Sequence, residues 1–225
     1  MGYRGWVVPV EWRLHAAVVV ARSLRAGVLL CVLAFASTAL SCGRRADSQG
    51  FPAEDTPEGA YARIAVAIAD GRLRDVFPYV EDEAQWAAYT IQKERAAALA
   101  RARGSFPADA LSPILSAYRD DAEAPDGADV FVRIGKARGW FGRLRRDLSG
   151  VARVEIDGDR ATIVTARGSR YPMRRRSVNL WGLTSFTAEL AADAERATRD
   201  HARIEEAARD YDLAAGKGAL DATPE

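Results

Sequence analysis

The chain has 225 residues, 48% of them hydrophobic and 28% charged, with 32 basic against 31 acidic side chains and a net charge of +1. That balance excludes a nucleic-acid binder working through a basic surface, and the apolar content excludes a wholly disordered chain. Two cysteines and two histidines leave almost no material for a disulfide scaffold or a zinc site.

Both cysteines fall in LLCVLAFASTALSCGRR, Leu29 to Arg45. The uncharged run from Ala26 to Ser41 is 16 residues long. That is short for a bilayer-spanning helix, which needs about 20, and close to the length of a signal-peptide core. Arg22 and Arg25 precede the run, and Ala39, Leu40, Ser41 and Cys42 close it. These four residues resemble the lipobox of bacterial lipoproteins, in which a signal peptidase cuts before a cysteine whose thiol carries a diacylglycerol. The chemistry needs a small residue before the cut and an unpaired thiol after it, and Ser41 and Cys42 supply both. The competing reading is an uncleaved N-terminal anchor with a chance cysteine. The resemblance implies a signal peptide over 1–41, lipid attachment at Cys42 and a partner in the membrane itself. It also implies a cell-envelope location, with Gly43 rather than Asp pointing to the outer membrane, facing the periplasm. Cleavage would remove Cys31 and leave residues 42–225, a single acylated cysteine, and 28 basic against 30 acidic residues. Stability would then come from a core rather than from disulfides, and a chain of this length can bury one. Stable anchoring takes more than one acyl chain, which lipoproteins of this type carry.

Residues 42–55 are polar with Gly and Pro, the composition of a flexible tether. A single domain is expected over 56–215. Thr56 as N-cap, Pro57 at the first helical position and Glu58 at the positive end of the dipole predict a helix to about Asp70. Its core face is Tyr61, Ile64, Ala65 and Ile68, and Gly71 ends it. RLRDVFPYV predicts a short second helix, and EDEAQWAAYTIQKERAAALARAR a long alanine-rich one stopped at Gly104. Pro113 should sit near a helix start or break one. Two short helices separated at Gly139 follow. The period then changes. VARVEIDGDRATIVTA predicts a hairpin turning at Asp157-Gly158, and RYPMRRRSVNLWGLTSF two more strands joined near Ser177 to Asn179. From about Ser185 the chain returns to helix. Leu190, Ala194, Ala197, His201, Ile204, Ala208, Tyr211 and Ala215 keep a 4-3 rhythm, a seam that should pack on the domain's own helices. Glu195 with Arg199 and Glu205 with Arg209 are i,i+4 pairs on its outer surface. The tail over 216–225 is expected to be disordered. The fold class is therefore α+β and helix-rich: N-terminal helices, an antiparallel meander of about four strands, then a long C-terminal helix.

TPEGAYARIAVAIADGRLRDVFPYV at the front and VEIDGDRATIVTARGSRYPMRRRSVNLWGL behind resemble the cone-shaped α+β fold of nuclear transport factor two and its bacterial relatives. The long helical stretch between Glu81 and Leu148 and the final helix depart from that pattern. The resemblance implies a fold that hosts isomerases, dehydratases, transport adaptors and binding modules, so it names no activity. Enzymes of the group place Asp with His, or Asp with Tyr, inside the cone. After residue 42 the chain has one histidine, His201, and its spacing puts it on the packing seam. No nucleophile elbow, phosphate-binding glycine loop, zinc-protease motif or cofactor signature occurs. The acidic stretch Asp121 to Asp129 lacks calcium-loop spacing and reads as a linker. Arg174, Arg175 and Arg176 form the densest basic run, a candidate for phosphate or anionic headgroups or, in the plainer reading, a charged edge strand. Trp86, Trp140, Trp181, Tyr61, Tyr89 and Tyr171 are expected in the core. The reading favoured is a non-catalytic envelope module that binds a protein partner or small ligand. The alternatives are a small isomerase or hydrolase using Asp and Tyr, and a structural protein pairing through its last helix. Neither a metal, a cofactor nor nucleic acid is expected.

Overall fold

One hydroxyl starts the first helix. Thr56 Oγ1 accepts a hydrogen bond from the Gly59 N–H at 3.0 Å, Pro57 takes the first helical position, and α1 runs Pro57–Ala69. Gly71, at φ 74°, turns the chain out of it. The computed structural model describes residues 50–216. The expected signal peptide, Cys42, most of the tether and the tail beyond 216 lie outside them. Residues 51–55, expected as tether, are tied into the domain. The Pro52 carbonyl accepts from Arg63 at 3.1 Å, and the Asp55 carbonyl from Trp181 Nε1 at 3.0 Å.

A 3-10 segment, Leu73–Tyr79, follows and buries Val76 and Phe77. The remaining elements are α2 (Asp82–Ser105), α3 (Ala108–Ala122), α4 (Gly127–Ala137), α5 (Trp140–Asp147), β1 (Val151–Asp157), β2 (Arg160–Thr165), β3 (Arg170–Arg175), β4 (Trp181–Leu183) and α6 (Thr187–Ala214). The sheet is an antiparallel meander in the order β1-β2-β3-β4. This is the α+β, helix-rich architecture expected from the sequence.

The apolar periods are obeyed with local exceptions. The buried face of α1 uses Ala67 where Ala65 was expected. α2 runs through Gly104 to Ser105, because a glycine at negative φ weakens a helix without breaking it. α3 runs through Pro113, giving up the hydrogen bond that residue 113 would make to the Asp109 carbonyl. The β1–β2 loop is Gly158-Asp159, one residue later than expected, since Asp157 still pairs with Arg160. Gly158, at φ 59°, takes the first loop position, as a primed hairpin turn requires. Trp86 is 71% exposed and Tyr89 41%, so the two aromatics early in α2 are surface residues. Trp140, Trp181, Tyr61 and Tyr171 are buried as expected.

The core has two parts. Phe131 lies at the centre of a ring cluster, within 6.0 Å (centroid to centroid) of Phe77, Trp140, Phe141 and Phe186. Away from it, α2 and α6 run parallel along most of their lengths, with Glu94 opposite His201, Arg101 opposite Glu205 and Asp212, and Phe106 opposite Tyr211. Ala98, Leu99 and Ala102 of α2 and Ala194, Ala197 and Ala208 of α6 are buried along this pair, the most extensive helix contact in the domain. The 4-3 stripe of α6 is thus covered by the domain's own α2. Fully burying a leucine stabilises by roughly 1.5–3 kcal/mol, whereas each alanine contributes about one methyl's worth, so the seam depends on close approach rather than on area. Flanking contacts close it: Arg101 to Asp212 at 2.8 Å and Glu205 at 3.2 Å, and the Phe106 and Tyr211 rings with centroids 4.8 Å apart.

The sheet joins the helices where Val80 bridges Leu183 in parallel and the Glu81 N–H donates to the Leu183 carbonyl at 3.2 Å. Gly182 permits that approach. A Cβ there would stand 2.6 Å from the Glu81 backbone nitrogen and Cα. Two glycine substitutions separate crowding from backbone entropy. Gly182→Ala should cost about 3 kcal/mol, because its neighbours are backbone atoms that cannot rotate away. Gly142→Ala, with open space around it in α5, should gain about 0.5–1 kcal/mol. Urea unfolding of the two variants reads both, and a neutral Gly182→Ala would show that the β4 contact is not tight.

Candidate functional site

The three consecutive arginines are brought to one place and used there for structure. β3 lies inside the sheet, so they do not guard an edge. Arg174 reaches Glu81 at 3.6 Å. Arg175 donates to Asn179 Oδ1 at 3.0 Å and lies over the Trp181 ring. Arg176, just past the strand and only 10% exposed, donates to Asp82 at 2.7 Å, to Gln85 at 3.0 Å and to the Pro78 carbonyl. Asp82 also accepts from the Ser177 N–H at 3.0 Å and its hydroxyl at 3.1 Å. The run pins the β3–β4 turn to the start of α2.

Two adjacent carboxylates there titrate in opposite senses. Burial pushes the Glu81 carboxyl up, with Arg174 pulling it back only in part. Burial also acts to raise Asp82, but the hydrogen bonds from Ser177 and Arg176 outweigh it and hold that carboxyl below its ordinary range.

His201 lies on the α2–α6 seam, three-quarters buried. Its Nδ1 is 2.7 Å from Glu94 Oε2, and its Nε2 is 3.6 Å from Glu205 Oε1. Glu94 comes from the facing helix, so no sequence spacing relates it to His201. Asp200, next to the histidine in sequence, pairs instead with Arg95. Glu205 faces Arg101 and His201, where a pair with Arg209 had been expected, while Glu195 meets Arg199 at 3.5 Å as expected. The acidic stretch also works locally. Asp126 caps α4, accepting from the Ala128 and Asp129 N–H groups, and with Asp129 it holds Arg74. Among the described residues no group of three or more His, Cys, Asp or Glu side chains is placed to hold a metal.

Three hollows among the described residues bear on function. One, of about 450 Å³, holds Tyr79 beside Arg72 and Asp75. Burial first, then the hydrogen bond to Glu54, push the Tyr79 hydroxyl up to about 12, which keeps it a donor far from the range of a general base at neutral pH. The second is an apolar trough of about 660 Å³ between α1 and the α5–β1 connection, with Phe51, Val66, Leu148 and Val151 in its walls.

The third is a crevice of about 250 Å³ where α2, α3, α4 and α6 converge. Its floor is Ile91, Ile134 and Ala137, and four guanidiniums line it: Arg95, Arg133, Arg138 and Arg196. Asp193 is bonded by Arg138 and lies 3.1 Å from Arg196, while Asp121 is bonded by Arg133. Arg95 is stacked 3.9 Å from the Tyr118 ring centroid. Its Nη1 lies 2.8 Å from Asp200 Oδ2 but is not aligned to donate to it, so the ion pair is made and the hydrogen bond is not. Arg133 Nε is likewise buried without a hydrogen-bond partner. An unmet buried donor of this kind costs about 1–3 kcal/mol, and neither atom has surface open to the crevice. These residues come from positions 91 to 196, and no motif connects them. The one signal available beforehand was the abundance of arginine over lysine.

No family model, no curated protein and no solved structure matches this chain.

Stability against pH tests the paired carboxylates. Glu81, with its folded-state value raised, contributes stability below its ordinary 4.5, and this is lost as pH rises through the folded value. Asp82, with its value lowered, contributes above its ordinary 3.8, and this is lost as pH falls through the folded value. Glu81→Gln should therefore gain on the wild type between pH 4 and 7. Asp82→Asn should lose about 1–2 kcal/mol at pH 7, with the gap closing near pH 3. Urea midpoints across that range check both, and parallel pH profiles for all three proteins would contradict the assignment. His201→Gln should cost only about 1 kcal/mol, the net worth of one hydrogen bond at a partly exposed seam, with no loss of ligand binding.

Proposed function

We propose that the chain is an envelope lipoprotein whose folded domain is a non-catalytic binding module for a small ligand. The binding part is carried by one observation: a crevice of about 250 Å³ at the four-helix junction, with Arg95, Arg133, Arg138 and Arg196 around an apolar floor. Guanidinium stays protonated at all ordinary pH values, so a site built on it binds and orients rather than exchanging protons. The anchoring part is supported by Ala39-Leu40-Ser41-Cys42 behind a short apolar run. With lipid on Cys42, the nine-residue path to Phe51 reaches at most about 30 Å, which keeps the domain close to the bilayer surface. Gly43 favours the outer membrane, facing the periplasm. The likeness to the nuclear-transport-factor-two fold is supported by the order of helices and meander, and it is compatible with a binding role.

A small enzyme using Tyr and Asp is the second reading, and the hollow with Tyr79 and Asp75 is where it would act. The high Tyr79 value argues against it.

Labelled fatty acid tests the anchor. In a bacterial host the wild type should take up label and partition with membranes, and Cys42→Ala should do neither. Label that survives the substitution would overturn the assignment.

A further inference from the structure

We propose that the apolar trough between α1 and the α5–β1 connection is a docking face for an anionic lipid surface. The walls are apolar where they meet water. α1 buries Tyr61, Ile64, Ala67 and Ile68. Ala62, Ala65, Val66 and Ala69 repeat on a second face of the same helix, and that face lines the trough. A helix apolar on two faces is expected to be covered on both. Phe51 and Val151, also in the walls, are 55% and 38% exposed. Open apolar surface of this extent with a polar rim marks a place that something else covers.

Charge selects the cover. Arg145 stands in the wall itself and Arg146 follows it. The Arg167 guanidinium donates to the Arg146 carbonyl, and the Arg167 backbone N–H donates to Ser149 Oγ at 3.2 Å, which brings a third arginine to this end of the trough. All three are exposed, and among the described residues none is in an ion pair. Asp147 is the one acidic residue between 143 and 151. On α1, Asp70 is bonded by Arg72 at 3.0 Å, and Glu58 sits in the first turn, where the positive end of the helix dipole answers it. Guanidiniums with unspent forks beside apolar surface match lipid phosphates above acyl chains. An uncharged apolar partner would leave them unmatched. Position agrees with charge. The described fold begins at this face, Gly50 leading into Phe51 in the trough wall. With the anchor proposed above, the chain leaves the bilayer at Cys42 and enters the domain here, within about 30 Å. That orientation rests on the anchor, whereas the apolar and basic walls do not.

Hydrogen exchange of the full chain tests this, in vesicles of phosphatidylcholine alone and of equal parts phosphatidylcholine and phosphatidylglycerol. Amides of 148–151 should exchange about tenfold more slowly on the anionic vesicles. Arg145→Gln combined with Arg146→Gln changes two exposed side chains, which spares the fold, and should return these amides to the phosphatidylcholine rate. Arg199→Gln, outside the trough on α6, should change nothing. Equal exchange on the two kinds of vesicle, or slowing that survives the double variant, would overturn the proposal. Slowing that appears in detergent micelles and grows with protein concentration would overturn it in favour of a second copy seated on the trough. A wild type that takes up no labelled fatty acid would remove the anchor alone, and anionic vesicles added from outside should still slow 148–151.

Discussion

The domain depends on how closely α2 and α6 approach. Their shared seam is mostly alanine, which gives little apolar area per residue but lets the two backbones come together. Close helices crowd whatever flanks the seam. The long side chains at its margins cannot all reach open water, so they are driven into pairs across the interface. Glu94 meets His201, Arg95 meets Asp200, and Arg101 meets both Glu205 and Asp212. Partly buried and set at particular positions along both helices, these pairs fix the register of α2 against α6. The polar crevice follows from the same crowding. Arg95 pairs with Asp200 of α6 and stacks on the Tyr118 ring of α3, and it lines the crevice together with Arg133, Arg138 and Arg196.

The arginines divide by how completely their donors are used. Arg176 spends its guanidinium on Asp82, Gln85 and a backbone carbonyl, and it ties the sheet to the helices. Gly182 serves the same junction by leaving room for the Glu81 backbone. Arg95 and Arg133 differ. Each is held by a charge partner, Asp200 and Asp121, and each keeps one buried nitrogen outside any aligned hydrogen bond.

Much of the fold was legible in the chain, for identifiable reasons. Thr56-Pro57-Glu58, Gly71, Gly139 and the strand alternation are local signals, and each acts within a few residues of where it is written. The 4-3 stripe of α6 is also local, and it correctly implied packing against the domain's own helices. Trp86 was misplaced because an aromatic in an alanine-rich helix looks like a core residue, while the buried face of α2 is made of Ala84, Ala87, Ala88 and Ile91. Pro113 was misjudged because a helix can carry one missing hydrogen bond when its other turns hold. The site was the least legible part. Glu94 finds His201, and Arg95 finds Asp200, only through the parallel register of two helices far apart in sequence. The Arg174–Arg176 run drew attention by its density, yet density along a strand says nothing about which donors remain free.

The most direct test is a larger side chain on the seam. Ala197 of α6 is 1% exposed, so Ala197→Leu should force the two helices apart and cost about 1–3 kcal/mol in urea unfolding. An Ala197→Leu protein as stable as the wild type would contradict the close approach.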